Sequence, residues 1–300
     1  PVVRVDDGAL VTSVTRGSGR GGDIAIEAGE LLVGGGAAVT ASSRGAGNAG
    51  DVTVRASGSV RVEGSGYGFS SGIAAESGAS GDGGRLDIAA PVVEVRDGAL
   101  VTTQGFGTGA AGDIRIAAAD LLVVADGASI ATQTVQSDGG NIAIEGLGVV
   151  QLTGGEITTS VQGGAGDGGN ITIAGPQHVV LGDSRIQANA YGGDGGNITI
   201  DSLYFLASPR STVEAASQLG VSGTITVTAP VVDVGAGLGV LPAGFFDASR
   251  LLREACASRA GESENSFVVA GRGAMPESAW GPYASRDNRA AKSPCEGGSR

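Results

Sequence analysis

Gly140-Asn141-Ile142-Ala143-Ile144 decides the fold, because its pattern of Gly, polar, apolar, any residue, apolar occurs eight times in the chain. It recurs as Gly22-Asp23-Ile24-Ala25-Ile26, Gly50-Asp51-Val52-Thr53-Val54, Gly84-Arg85-Leu86-Asp87-Ile88 and Gly112-Asp113-Ile114-Arg115-Ile116. Beyond residue 144 it continues as Gly169-Asn170-Ile171-Thr172-Ile173, Gly196-Asn197-Ile198-Thr199-Ile200 and Gly223-Thr224-Ile225-Thr226-Val227. Successive glycines are 28, 34, 28, 28, 29, 27 and 27 residues apart. A fixed period of this size marks a solenoid, in which each repeat stacks on its neighbours.

Two more short runs fall within each period. One is β-branched or leucine-rich, as in Leu31-Leu32-Val33, Val60-Arg61-Val62 and Val149-Val150-Gln151-Leu152. The other is rich in small residues and Ser or Thr, as in Ala38-Val39-Thr40-Ala41-Ser42 and Ser129-Ile130-Ala131-Thr132-Gln133. Apolar residues alternate at period 2 and Gly or Asp-Gly bounds the runs, which is strand and turn chemistry. Three strands of three to six residues and three turns fill a coil. The pattern predicts an all-β, right-handed parallel β-helix of about eight coils over residues 1–234. At about 4.8 Å per coil, the rod is on the order of 40 Å long.

The columns predict the interior. Ile24, Val52, Leu86, Ile114, Ile142, Ile171, Ile198 and Ile225 form one aliphatic ladder. Ile26, Val54, Ile88, Ile116, Ile144, Ile173, Ile200 and Val227 form the next. The residue between them faces out and is small or polar. A one-residue slip would reverse both faces, so the register is strongly specified.

The 300 residues include 56 glycines but only 11 aromatics, which suits a narrow solenoid filled by Ile, Val and Leu. The net charge is −12, with one His and one Lys. Residues 1–234 hold 11 Arg against 24 Asp or Glu. An acidic rod without a basic stripe disfavours nucleic acid, where phosphate neutralisation supplies most of the affinity. No apolar run approaches the roughly 20 residues of a membrane-spanning helix. Residues 2–12 match the second and third runs of a coil. The chain is therefore expected to be the C-terminal piece of a longer protein whose targeting segment lies upstream.

After Val234 the period stops. Residues 235–300 read as a Gly-rich linker, a short helix from Asp247 to Arg259, an apolar strand and a cap over the last coil. Cys256 and Cys295 both lie in this tail. An even pair flanking a Gly- and Arg-rich tail suggests one disulfide in an oxidising compartment, with two free thiols as the alternative.

The Gly-rich repeat of 25–30 residues, followed by a Cys-bearing helix and Ser266-Phe267-Val268-Val269-Ala270-Gly271-Arg272-Gly273-Ala274-Met275-Pro276, resembles the C-terminal end of filamentous-haemagglutinin-like exoproteins. These are the secreted partners of two-partner secretion systems in Gram-negative bacteria. The resemblance implies a protein at the cell surface, associated with the outer membrane, or released. It would be moved through an outer-membrane partner pore and act in adhesion, aggregation or biofilm. Host-cell, glycan or neighbouring-cell ligands are the implied partners. It also implies that a C-terminal Cys pair, here Cys256 and Cys295, helps retain the protein at the surface. Separately, the outward strand positions are mostly Ala, Thr and single charges and no catalytic or phosphate-binding motif occurs, so neither catalytic residues nor a cofactor is expected.

Candidate sites are few. Asp138, Asp167 and Asp194 occupy one turn position in three successive coils, with Asp82 earlier. Stacked carboxylates repel unless a cation or hydrogen-bond donors intervene, so a Ca²⁺ ladder competes with hydrated turn residues. Asn141, Asn170 and Asn197 stack as an amide ladder. The 34-residue period holds an insertion with Tyr67 and Phe69, which either contacts a partner or packs back on the wall. His178 has no ligand-spaced neighbour. A polysaccharide lyase or glycosidase is the main rival function, since such enzymes gather carboxylates on adjacent coils. A purely structural surface-matrix protein is the other.

Overall fold

The computed structural model describes residues 1–229, and over them the chain is a stack of parallel strands with no helix. The expected ladders form without a slip. Ile24 pairs with Val52, Val52 with Leu86, Leu86 with Ile114 and Ile114 with Ile142. The column then runs through Ile171 and Ile198 to Ile225. Alternate burial follows, so Val52, Leu86, Ile142 and Ile171 are sealed inside. Ile24 and Ile26 are only partly buried, since each has a paired neighbour on one side alone. The fold is a parallel β-helix of about eight coils, and one aliphatic core runs through it.

Three separate strands per coil were expected, and the structure differs. The first two runs join a single 12-stranded sheet, while the third run forms an eight-stranded sheet of its own. In the early coils these two runs are one bent strand: Ile24–Val33, Val52–Glu63, Leu86–Arg96 and Ile114–Ala125. Pairing shifts register at the bend, for example between Ala118 and Leu121, but does not stop. In later coils the strand divides, as into Ile142–Glu145 and Val149–Thr153. The dividing corners read Gly146-Leu147-Gly148 and Gly175-Pro176. Gly175 has φ +91°, a left-handed conformation that breaks the strand there, whereas Pro91 sits at the same bend inside the undivided strand Leu86–Arg96.

The recurring glycine owes its place to stacking. A Cβ on Gly140 would overlap the carbonyl oxygen of Gly112, and one on Gly169 would overlap that of Gly140. The same holds at Gly50, Gly84, Gly112, Gly196 and Gly223 against the preceding motif glycine. None of these glycines has positive φ. Adjacent coils approach so closely here that no side chain fits. The carbonyls so placed are held from inside the coil. Thr103, Thr132 and Thr159 donate their hydroxyls to Gly112 O, Gly140 O and Gly169 O at 2.5, 2.7 and 2.6 Å. All three threonines are fully buried in an inward column that also holds Ala41, Ala75 and Ala188.

The tail with its expected helix, cap and Cys256–Cys295 pair, and the expected boundary at 234/235, lie outside the described residues.

Candidate functional site

The corner between the second and third runs is a tight turn in most coils. Asp7-Gly8, Asp97-Gly98 and Asp126-Gly127 all have both residues in the left-handed region, and Gly35-Gly36 does the same. In the third coil residues 64–71 replace that turn. Ser65–Gly66 and Phe69–Ser70 pair antiparallel as a small hairpin. Its two central residues, Tyr67 (φ 55°) and Gly68 (φ 83°), give the left-handed pair that two-residue hairpin loops favour.

The backbone of the hairpin folds against the coil before it. Ser71 is buried, and its Oγ accepts the amide of Gly36 at 3.0 Å. Cβ atoms on Gly36 and Gly66 would collide with Gly66 O and Gly35 O respectively, so two glycine backbones lie in direct contact. The Tyr67 ring reaches one coil further and lies over Gly8, where an added Cβ would be 3.1 Å from its Cδ2. Of the two alternatives read from the sequence, packing on the wall is met in part. The backbone packs on the wall, while Tyr67 remains 77% exposed and Phe69 72% exposed. Between hairpin and wall lies an open concavity of about 480 Å³, lined by Tyr67, Phe69, Leu10, Ala38, Gly36 and Asp7 among others. Leu10 and Asp7 come from the first coil, and stacking alone brings them to the hairpin. Counting all turns in register would have found them.

The carboxylates of Asp138, Asp167 and Asp194 are directed along the rod. Asp138 Oδ1 accepts the amide of Asp167 at 3.0 Å, and Asp167 Oδ1 that of Asp194 at 2.8 Å. Asp194 Oδ1 accepts the amide of Val221 at 2.8 Å, and Asp82 Oδ1 that of Ala110 at 3.0 Å. A backbone donor intervenes between successive carboxylates, the arrangement that relieves their repulsion without an ion. Among the described residues no group of three or more His, Cys, Asp or Glu side chains converges.

The amide ladder forms as expected and is longer. Asp113 Oδ1 accepts from Asn141, Asn141 Oδ1 from Asn170, Asn170 Oδ1 from Asn197 and Asn197 Oδ1 from Thr224, each through the backbone N–H at 2.9 Å. At the other end Asp23 Oδ1 accepts from Asp51, and Asp51 Oδ1 from Arg85, at 2.8 Å. The amide of Asp51 and the guanidinium of Arg20 together hold the Asp23 carboxyl below its usual range. Arg85 has no acceptor to offer, so the chain of bonds restarts at Asp113.

On the outer wall Arg115 lies beside Asp87 in register but turns to Glu145, with Nη2–Oε2 at 2.7 Å. That hydrogen bond lowers the Glu145 carboxyl below its usual range. His178 stacks on Tyr204 of the next coil, ring centroids 5.1 Å apart and planes 21° apart. A second concavity of about 350 Å³ holds Glu156, Asp183, Arg185 and Arg210. Each acid there faces an arginine, at 3.5 Å for Glu156–Arg185 and 3.6 Å for Asp183–Arg210.

No family model, no curated protein and no solved structure matches the chain.

Proposed function

We propose that this protein is the shaft of a cell-surface or secreted adhesin-type exoprotein, a non-catalytic rod that presents a binding hairpin at one corner. One observation carries the reading. Four corners share one left-handed turn and two more keep a single left-handed residue, Gly154 and Asp183, whereas the hairpin corner puts two aromatic rings into solvent, Tyr67 and Phe69. Exposed rings of this size are contact chemistry rather than core chemistry. The wall elsewhere is regular, with its carboxylates and amides occupied along the rod axis, and that suits a spacer. The tail's resemblance to two-partner secretion exoproteins supports export through an outer-membrane pore in a Gram-negative bacterium and a role in adhesion, aggregation or biofilm.

The test is surface labelling of intact producing cells, followed by adhesion of beads coated with the purified protein. Beads should adhere to cells, and Tyr67→Ser with Phe69→Ser should abolish adhesion without lowering the melting temperature. Self-assembly of the protein with no adhesion would favour a matrix component instead.

A further inference from the structure

We propose that the concavity under the hairpin binds a cationic side chain, an arginine or lysine on an extended segment of a partner protein. The proposal rests on the hairpin being the contact site of the rod and names the chemistry it takes.

The ligand class follows from what lines the concavity. Tyr67 and Phe69 offer ring faces, which carry the negative lobe of the aromatic quadrupole and attract cations. Asp7 adds a full negative charge on the same rim. No Arg or Lys lines it. The nearby guanidinium, Arg4, is engaged by Asp6 through both Nε and Nη2. Among the described residues no side chain donates a hydrogen bond to the Asp7 carboxylate, in contrast to the charge-paired acids Glu156 and Asp183. Gly36 and Ala38 leave the floor unobstructed, and Leu10 gives an apolar flank for the methylene stem of a long cationic side chain. The chain as a whole is acidic, at −12, which steers cations towards it and raises their local concentration. Arginine fits best, because its planar guanidinium can lie on a ring while its edge donates to Asp7.

The experiment measures binding of a Gly/Ser decapeptide carrying two arginines to the full chain by calorimetry. The control peptide carries citrulline, which keeps the shape and removes the charge. The arginine peptide should bind and the citrulline peptide should bind about tenfold more weakly, the scale of a cation–π contact with a partly desolvated carboxylate. Tyr67→Leu and Phe69→Leu keep apolar bulk but remove the ring, and each should weaken the arginine peptide about tenfold. Asp7→Asn should do the same and flatten the salt dependence. Unchanged melting curves establish that each variant is folded. Equal binding of both peptides would overturn the proposal, and so would full affinity in the folded leucine variants, which would mean diffuse attraction to an acidic rod. No binding by the unaltered protein would overturn it too. Bead adhesion that persists beside that last result removes the cation assignment and leaves the adhesive role standing. Peptide binding without adhesion supports the cation site and removes the adhesive role.

Discussion

Asn141 Oδ1 accepts two hydrogen bonds from Asn170 in the next coil, one from the backbone N–H at 2.9 Å and one from Nδ2 at 3.1 Å. Asn170 repeats the arrangement towards Asn197, at 2.9 and 3.2 Å. A side chain therefore performs a task usually left to the backbone ladder, at a turn where no strand continues. Asn170→Ala removes the acceptor for Asn197 and the Nδ2 donor to Asn141, leaving only the backbone N–H on Asn141, at a cost of about 1–2 kcal/mol. Asn170→Asp keeps the acceptor, as Asp113 does for Asn141, and should cost less at neutral pH. Urea unfolding midpoints of the two variants check the order, and equal loss in both would show that the acceptor is not what matters.

Two glycine-to-alanine changes separate steric stacking from backbone conformation. At Gly140 the new methyl would meet Gly112 O, and at Gly127 it would meet nothing within 4 Å. Gly127 has φ +77°, so alanine there costs about 1–2 kcal/mol of left-handed strain alone. Gly140→Ala must push two coils apart and should lower the melting temperature more than Gly127→Ala. The reverse order would contradict the stacking role of the repeated glycine.

Inside the coil, Thr132→Val should destabilise by about 1–3 kcal/mol, because it fills the same volume while leaving Gly140 O without its hydroxyl partner. Hydrogen exchange should quicken locally around residues 132 and 140–144. Unaltered exchange there would rule out the hydroxyl as a clamp.

Glu76, on the strand Gly72–Ser77, has its carboxyl raised above the usual range by burial, with Arg44 opposing the shift. A raised carboxyl favours the folded state when protonated. Its contribution is therefore fully present below the unfolded value, about 4.3, and is lost as pH rises through the folded value. Glu76→Gln should raise the melting temperature at pH 7 and leave it unchanged near pH 3. A gain of equal size at both pH values would point to packing rather than charge.

How far the sequence could be read depended on the range of the interaction. Alternation at period 2 with a repeat near 28 residues leaves one register for the aliphatic columns, so Ile142 between Ile114 and Ile171 was readable without coordinates. The Asn ladder was readable for the same reason, since equal positions in equal coils must meet. The cause of the repeated glycine was not, because nothing in Gly140-Asn141 indicates that the carbonyl of Gly112 presses on it. Nor was the choice of Arg115 between Asp87 and Glu145, a matter of side-chain reach across a wall. The concavity under the hairpin was half readable: Tyr67 and Phe69 announce themselves as an insertion, whereas Asp7 and Leu10 belong to a coil two turns away.

The repeat by itself determined the solenoid, its coil number and which side chains are buried in the inner coils, because those follow from periodicity and the exclusion of water from aliphatic columns. At the last described coil Ile225 and Val227 stay exposed. Only the tertiary structure decided which strands fuse, which oxygens hold the coils together and what the hairpin encloses. Those outcomes turn on contacts of about 3 Å between residues 28 or more positions apart, and on how much space each stacked coil leaves the next.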